Sequence, residues 1–324
     1  MKFLAAAGLA TILLSPAASQ AEDVTVQIDW LPAGDKAFVY AALYQGYFEE
    51  EGLDVTIVSG RGSSDALTKL ATGSADFATG DISALFSAAA EQDIPVKAIY
   101  SIFTKQPSAT VVLAESGIES IADLKGKTNA FAALSGSQAV FDHVLAKNGI
   151  SRDDIELRQA EPAVLAPLLS SGQVDAIGAW VTTAPLALAL LQENGKEGRV
   201  LPWADFGLEG YGLSLYTSDR MIAENPEVVS SFVRAFGKGV EFSIQHPEET
   251  IDALIASAPE IDREIALAQL EAAIPLMSNE ISDADGMGAL RSERLKAGWE
   301  VVAASQGYDR EVIDPDELVD PSFR

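Results

Sequence analysis

Near the N-terminus, short apolar runs alternate with amphipathic segments along the chain. This pattern predicts a β-α-β-α-β unit. Apolar runs at 24–30, 53–58 and 75–78 have the length of strands, and the segments 36–50 and 63–73 have helical spacing. Largely apolar strands that alternate with helices form parallel sheets covered on both faces. The first part of the chain therefore predicts half of a doubly wound α/β sheet.

A second copy of this pattern follows about a hundred residues later. KLATGSADFATGD (69–81) matches LLSSGQVDAIGAW (168–180): a leucine precedes a glycine by three residues, and an aspartate follows that glycine by three. A glycine just beyond a helix adopts the left-handed conformation without strain. Open α/β sheets bind ligands beyond the carboxyl ends of their strands. The repeat therefore predicts a single cleft into which Asp81 and Trp180, the last residues of the copies, are directed.

The later part of the chain predicts a return to the first domain. Strand-like runs at 200–203 and 211–217 are followed by helical segments up to residue 306, and no stretch has the composition of a flexible linker. We therefore expect two domains joined by more than one crossing. Domain I is predicted to comprise residues 22–110 and 211–324, and domain II residues 111–210.

Composition and charge limit the class of protein. Residues 1–21 have a positive start, an apolar segment and a small-residue cleavage site, as in a secretory signal peptide. The net charge of −26 argues against nucleic acid and anionic membrane as partners. The absence of cysteine excludes disulfides, thiolate metal sites and a lipid-bearing cysteine. We expect an exported, unanchored, monomeric protein in the periplasm, with neither a metal nor a cofactor.

Candidate ligand-binding residues lie at the ends of predicted strands or at the starts of the following helices. Aromatic faces hold a planar ring or a cation, and carboxylates accept hydrogen bonds from an amine. Arginine pairs with a sulfonate or carboxylate, and helix-start amides bind anions. The candidates are the aromatic Trp30, Trp180 and Tyr211, the acidic Asp81 and Glu161, the basic Arg61, and the small or polar Gly62, Ser63, Ser64, Ser135, Gly136, Ser137 and Gln138.

Four motifs in the N-terminal third carry a resemblance to a known family: IDWLP (28–32), YAALYQGYFEEEGLDV (40–55), GRGSSDALTKLATGSADFA (60–78) and IADLKGK (121–127). The chain resembles the substrate-binding proteins of ABC importers that include the taurine, alkanesulfonate, nitrate and thiamine-pyrimidine binders. The resemblance implies the two-domain periplasmic-binding-protein fold of type II, in which two mostly parallel sheets flanked by helices close on a small ligand. It also implies a cleft lined by Trp30, loop 60–64, Asp81, turn 135–138 and Trp180.

Three functions remain open on this basis. The Asp-Trp-x-Pro run at 29–32 is most similar to the branch that binds thiamine-pyrimidine precursors, although that branch has Asn and His where this chain has Ala33 and Lys36. The first hypothesis is a binding protein that delivers such a nitrogen-containing ring to a permease of the inner membrane. The second is a binder of a small organic anion, such as taurine or a carboxylate, held by Arg61 and the serine-rich helix starts. The third is a pyrimidine-forming enzyme, which the resemblance ties to a cysteine-rich motif that this chain lacks; we expect no enzyme.

Overall fold

The computed structural model describes residues 21–324, so the predicted signal segment lies, apart from Ala21, outside the described residues. The described strands are β1 Glu22–Gln27, β2 Leu53–Val58, β3 Phe77–Asp81, β4 Val96–Ser101, β5 Ser108–Leu113, β6 Thr128–Ala132, β7 Glu156–Ala160, β8 Ala176–Trp180, β9 Gly198–Pro202 and β10 Leu213–Ser218. The α-helices are α1 Ala37–Tyr44, α2 Tyr47–Glu50, α3 Ser63–Ala71, α4 Ile82–Glu91, α5 Gln138–Lys147, α6 Leu165–Ser170, α7 Ala184–Glu193, α8 Asp219–Glu224, α9 Pro226–Gln245, α10 Pro247–Ser257, α11 Arg263–Met277, α12 Glu280–Asp285 and α13 Ser292–Gln306. No described helix is both long and apolar enough to cross a membrane.

The strands form two five-stranded sheets of the same design. Their orders are β2-β1-β3-β10-β4 and β7-β6-β8-β5-β9. In each sheet one strand, β10 or β5, runs antiparallel to both of its neighbours, and the other pairings are parallel. The predicted pair of mostly parallel sheets flanked by helices is thus confirmed.

The internal repeat is also confirmed, down to single hydrogen bonds. Its glycines both have φ 71°, and each aspartate accepts a backbone N–H from the neighbouring parallel strand, at 2.9 Å in the first copy and 2.8 Å in the second. Each copy ends on the last residue of its strand, β3 or β8. The equivalent pairs are Gly73 and Gly172, Asp76 and Asp175, and Asp81 and Trp180.

The prediction of one helix over residues 36–50 is wrong. The backbone of Gly46 is left-handed, with φ 77°, and it separates α1 from α2. A left-handed residue cannot continue a right-handed helix, so the chain turns there. Within the region predicted to be helical up to residue 306, the short helices α8 and α12 accompany the longer ones.

The chain passes between the sheets after β4 and again before β10. We call the part built on β1–β4, β10, α1–α4 and α8–α13 the first half, and the part built on β5–β9 and α5–α7 the second half. Strand β5 begins at Ser108, inside the segment assigned by sequence to domain I, and the division at 110 and 210 stays a proposal. One buried apolar cluster joins both halves, since it contains Phe86 of α4, Phe141 of α5 and Trp299 of α13.

Candidate functional site

A cavity of about 90 Å³ lies between the two halves, where the carboxyl ends of strands meet. From the first half its lining includes Asp29, Trp30, Lys36, Gly62 and Ser63. From the second half it includes Ser135, Gly136, Pro162, Trp180, Thr183 and Leu186. The position agrees with the rule for open α/β sheets, since both β3 and β8 end beside it.

The structure brings six of the thirteen candidate residues into this lining. They are two of the three aromatic candidates and four small residues of the two helix starts: Trp30, Gly62, Ser63, Ser135, Gly136 and Trp180. Seven others do not line it: Arg61, Ser64, Asp81, Ser137, Gln138, Glu161 and Tyr211. Contact of any of them with a ligand stays a prediction.

Several of these seven side chains point away from the cavity or are engaged within the protein. The side chain of Arg61 is 62% exposed and lies 4.0 Å from Asp65, and Glu161 is exposed. Gln138 donates from its side chain to the carbonyl oxygens of residues 132 and 133. The amide of Ser64 donates to the carbonyl oxygen of Leu134 at 3.3 Å, so this helix-start N–H already has an acceptor across the cleft.

Asp81 is buried beneath the cavity lining rather than within it. Its Oδ1 accepts the N–H of Ser83 at 2.8 Å, which caps the N-terminus of α4, and its own N–H donates to Oγ of Ser63 at 3.0 Å. Its Oδ2 is buried without a hydrogen-bond partner among the described residues. Burial raises the pKa of Asp81 to about 6, because the hydrogen bonds to Ser83 offset only part of the desolvation.

This raised pKa predicts a pH-dependent stability that Asp81→Asn should remove. Between the ordinary value of 3.8 and about 6 the folded state binds this proton more tightly than the unfolded state, so the free energy of unfolding falls as the pH rises through that window. Asparagine keeps the cap. We expect the variant to gain stability relative to wild type from pH 4 to 6, by at most about 3 kcal/mol. Denaturant titrations at several pH values measure this, and parallel pH curves would contradict it.

A chain of buried polar groups holds the edge of Trp180. Its Nε1–H donates to Oγ of Ser137 at 3.0 Å, and that hydroxyl lies 3.0 Å from Oγ of Ser108. Ser108 donates to Gln106, whose side chain donates to the carbonyl oxygen of Tyr211 at 2.8 Å. Ser137 and Tyr211 therefore belong to the hydrogen-bonded support of Trp180 and not to the cavity lining.

The charged residues of the lining, Asp29 and Lys36, were not among the predicted site residues. The Lys36 ammonium lies 3.3 Å from Oδ1 of Asp29 and 3.2 Å from Oδ2 of Asp35, with all three side chains almost completely buried. Burial lowers the pKa of Lys36, but the two carboxylates together raise it above its usual value. Burial raises the pKa of Asp29, and Lys36 offsets this only in part. One feature of the sequence could have indicated Lys36. It closely follows the first predicted strand, at the position where the thiamine-pyrimidine branch that the chain resembles has a histidine.

Comparison with known proteins gives one family. A family model described as "NMT1/THI5 like" matches residues 34–250 of the chain. This segment contains the second half, both crossings between the sheets and, from the first-half lining, Lys36, Gly62 and Ser63, whereas Asp29 and Trp30 lie before it.

Curated relatives include two binding proteins and one enzyme. The formylaminopyrimidine-binding protein of Halalkalibacterium halodurans is 26% identical over 82% of this chain and 79% of its own length. The riboflavin-binding protein RibY of Chloroflexus aurantiacus is 28% identical over 82% of this chain and 76% of its own. The 4-amino-5-hydroxymethyl-2-methylpyrimidine phosphate synthase of Candida albicans is 28% identical over 70% of this chain and 68% of its own.

Among solved structures, the alkanesulfonate-binding protein SsuA of Xanthomonas axonopodis pv. citri has a similar fold. It superimposes with a TM-score of 0.74 and 19% identity, covering 93% of this chain and 99% of that one. At this identity the similarity shows the fold, which is that of the periplasmic binding proteins.

Proposed function

The chain belongs to the NMT1/THI5-like family, and from this premise we propose that it is the substrate-binding protein of an ABC importer. It captures a small nitrogen-containing aromatic, such as a thiamine-type pyrimidine, in the cavity between its halves and delivers it to a permease. The single observation that carries the ligand class is the lining: two tryptophans and a buried carboxylate, Trp30, Trp180 and Asp29, face one small cavity.

The chemistry of the cavity supports a planar ring that carries an amino group. Indole faces stack on planar rings, and the carboxylate of Asp29 accepts hydrogen bonds from an amino group. The similar formylaminopyrimidine-binding protein supports the same choice.

The organic-anion alternative has less support in the site. Its proposed cation, Arg61, is 62% exposed and outside the lining, and the amide of Ser64 is already bonded to Leu134. The cation that does face the cavity, Lys36, lies between two carboxylates. The negative charges around Lys36 therefore equal or exceed its positive charge. Such a site disfavours the negative charge of a sulfonate.

The enzyme alternative rests on the similar synthase of Candida albicans. Among residues 21–324, no three His, Cys, Asp or Glu side chains are grouped to hold a metal ion. We propose a protein that binds and releases its ligand unchanged. Recovery of a pyrimidine chemically unaltered after prolonged incubation supports this, and formation of a new pyrimidine product would refute it.

We further propose that the protein works in the periplasm as a monomer, exported by the segment 1–21, with the two predicted domains closing about the two crossings.

The test of function is a thermal-shift screen of residues 22–324 against formylaminopyrimidine, riboflavin and alkanesulfonates. A stabilising shift with the pyrimidine alone is expected, because a ligand that binds only the folded state raises the melting temperature. A shift with sulfonates alone would overturn the ligand class.

Replacing Arg61 by alanine separates the two ligand classes. Because the Arg61 side chain lies in solvent outside the lining, we expect the dissociation constant for formylaminopyrimidine to change less than about twofold. An anion held by Arg61 would instead lose at least about tenfold in affinity, because charge-assisted bonds would be removed. Calorimetric titration of both variants measures the difference, with Arg220→Ala, another exposed arginine, as the control.

A further inference from the structure

At the base of the cavity, five buried side chains connect the two halves, three of them in its lining and two behind it. Asp29, Asp35 and Lys36 belong to the first half, and Trp180 and Thr182 to the second. The ammonium of Lys36 lies over the indole ring of Trp180, 4.5 Å from its centroid. The hydroxyl of Thr182 donates to Oδ2 of Asp35 at 2.6 Å, the same oxygen that accepts from Lys36.

We propose that Lys36 is a positioning residue, whose ammonium holds the indole of Trp180 and, through Asp35 and Thr182, ties the second half to the first beneath the ligand. This inference rests on the proposed function only in assigning Trp180 to the ligand. The interaction between Lys36 and Trp180 crosses the two halves, so it forms when the halves close and separates when they part. Closure and the orientation of the stacking ring are therefore one event.

The geometry favours this role over simple neutralisation of buried charge. Two carboxylates could be neutralised by an ammonium anywhere between them. Here Lys36 is also placed over an indole face, and Phe103 packs edge-on against the same ring, with centroids 6.2 Å apart. A desolvated cation over indole is the strongest form of this interaction. The ring is thus fixed on one face by Lys36 and at its Nε1 edge by Ser137.

The burial of Lys36, Asp29 and Asp35 also ties this arrangement to the form in which the two halves are closed. The side chains of Lys36 and Asp29 are 1% and 3% exposed, and Oδ1 of Asp35 has no partner among the described residues. Separation of the halves would give water access to these groups and release Thr182 from Asp35. When the halves close, these side chains therefore lose their contacts with water and gain the contacts between the halves. A mutation that removes one of the contacts between the halves shifts the equilibrium between closed and open forms towards the open form.

The test uses four variants and two measurements. Lys36→Met removes the cation, Lys36→Arg keeps it, Thr182→Val removes only the hydroxyl, and Thr217→Val is the matched control. Thr217 is equally buried and donates to the carbonyl oxygen of Asp76 at 2.8 Å, away from the cavity. The first measurement is acrylamide quenching of Trp180 fluorescence without added ligand, isolated as the difference between each protein and its Trp180→Phe counterpart. The second is the dissociation constant for formylaminopyrimidine.

We expect quenching of Trp180 to rise about threefold in Lys36→Met and about twofold in Thr182→Val, with Lys36→Arg closer to wild type and the control unchanged. The dissociation constant should rise about tenfold or more in Lys36→Met and about fivefold in Thr182→Val. If Lys36→Met does not fold, the results for Thr182→Val and Lys36→Arg test the proposal in its place. Quenching in Thr182→Val equal to that of the Thr217→Val control overturns the proposal. The quenching measurement needs no ligand, so it tests the role of Lys36 even if the pyrimidine does not bind. Failure of the pyrimidine to bind would refute the proposed function but not the proposed role of Lys36.

Discussion

Trp180→Ala should raise the dissociation constant for formylaminopyrimidine by about thirtyfold to a thousandfold. The indole forms one wall of the cavity, and the change removes both its buried apolar area and its stacking, together about 2–4 kcal/mol. The substitution also removes the face that covers Lys36 and the hydrogen bond to Ser137. Titration calorimetry measures the decrease in affinity.

The matched control for this change is Trp299→Ala. Trp299 is also almost fully buried, and its Nε1–H donates to the carbonyl oxygen of Arg310, but it lies in α13, outside the cavity lining. Both variants should lose about 3–5 kcal/mol of stability, as large-to-small changes in a core do. Only Trp180→Ala should lose affinity in the folded protein. An equal decrease in affinity for both variants would show that Trp180 is merely a core residue.

Gly136→Ala should leave the fold intact but prevent closure of the two halves. A Cβ at Gly136 would lie 2.6 Å from Cβ of Asp81 and 3.1 Å from Oγ of Ser63, both in the opposite half. The backbone of Gly136 is not left-handed, so alanine itself is not strained there. The clash disappears when the halves separate, and the variant should therefore occupy the open form.

Since only the closed form encloses the ligand, the apparent affinity should fall with the closed population, by about a hundredfold or more. Small-angle scattering without ligand should give a larger radius of gyration for Gly136→Ala than for wild type. Gly237→Ala is the control, because a Cβ there meets only Tyr100 at 3.7 Å and alanine suits the interior of α9. Wild-type affinity in Gly136→Ala would show that the close approach of Gly136 to Asp81 is not part of the bound form.

Local sequence rules predicted the architecture well, because they concern neighbours in the chain. The glycine that ends a helix and the aspartate three residues later have the same conformation and hydrogen bonding in both copies, beginning at Gly73 and Gly172. Strand and helix periodicity predicted the two sheets. The rules were wrong at Gly46, where one glycine inside an otherwise helical pattern ends the helix.

The site was only partly predictable, because side-chain direction depends on the opposite half of the protein. Asp81 does end β3, but its carboxylate turns back to cap α4, so the cavity lining does not include it. Arg61 lies in the predicted loop and points to solvent. Lys36, read from sequence only as a departure from the similar branch, becomes meaningful once folding places it over Trp180, which is distant in the chain.

The most direct test of the central claim is a calorimetric titration of residues 22–324 with formylaminopyrimidine, in parallel with an alkanesulfonate. We expect saturable one-to-one binding of the pyrimidine, with a dissociation constant of about 1 μM or tighter, and no heat of binding from the sulfonate. Saturable binding of the sulfonate without binding of the pyrimidine would contradict it, because it would assign the cavity of Trp30, Trp180 and Asp29 to an anion.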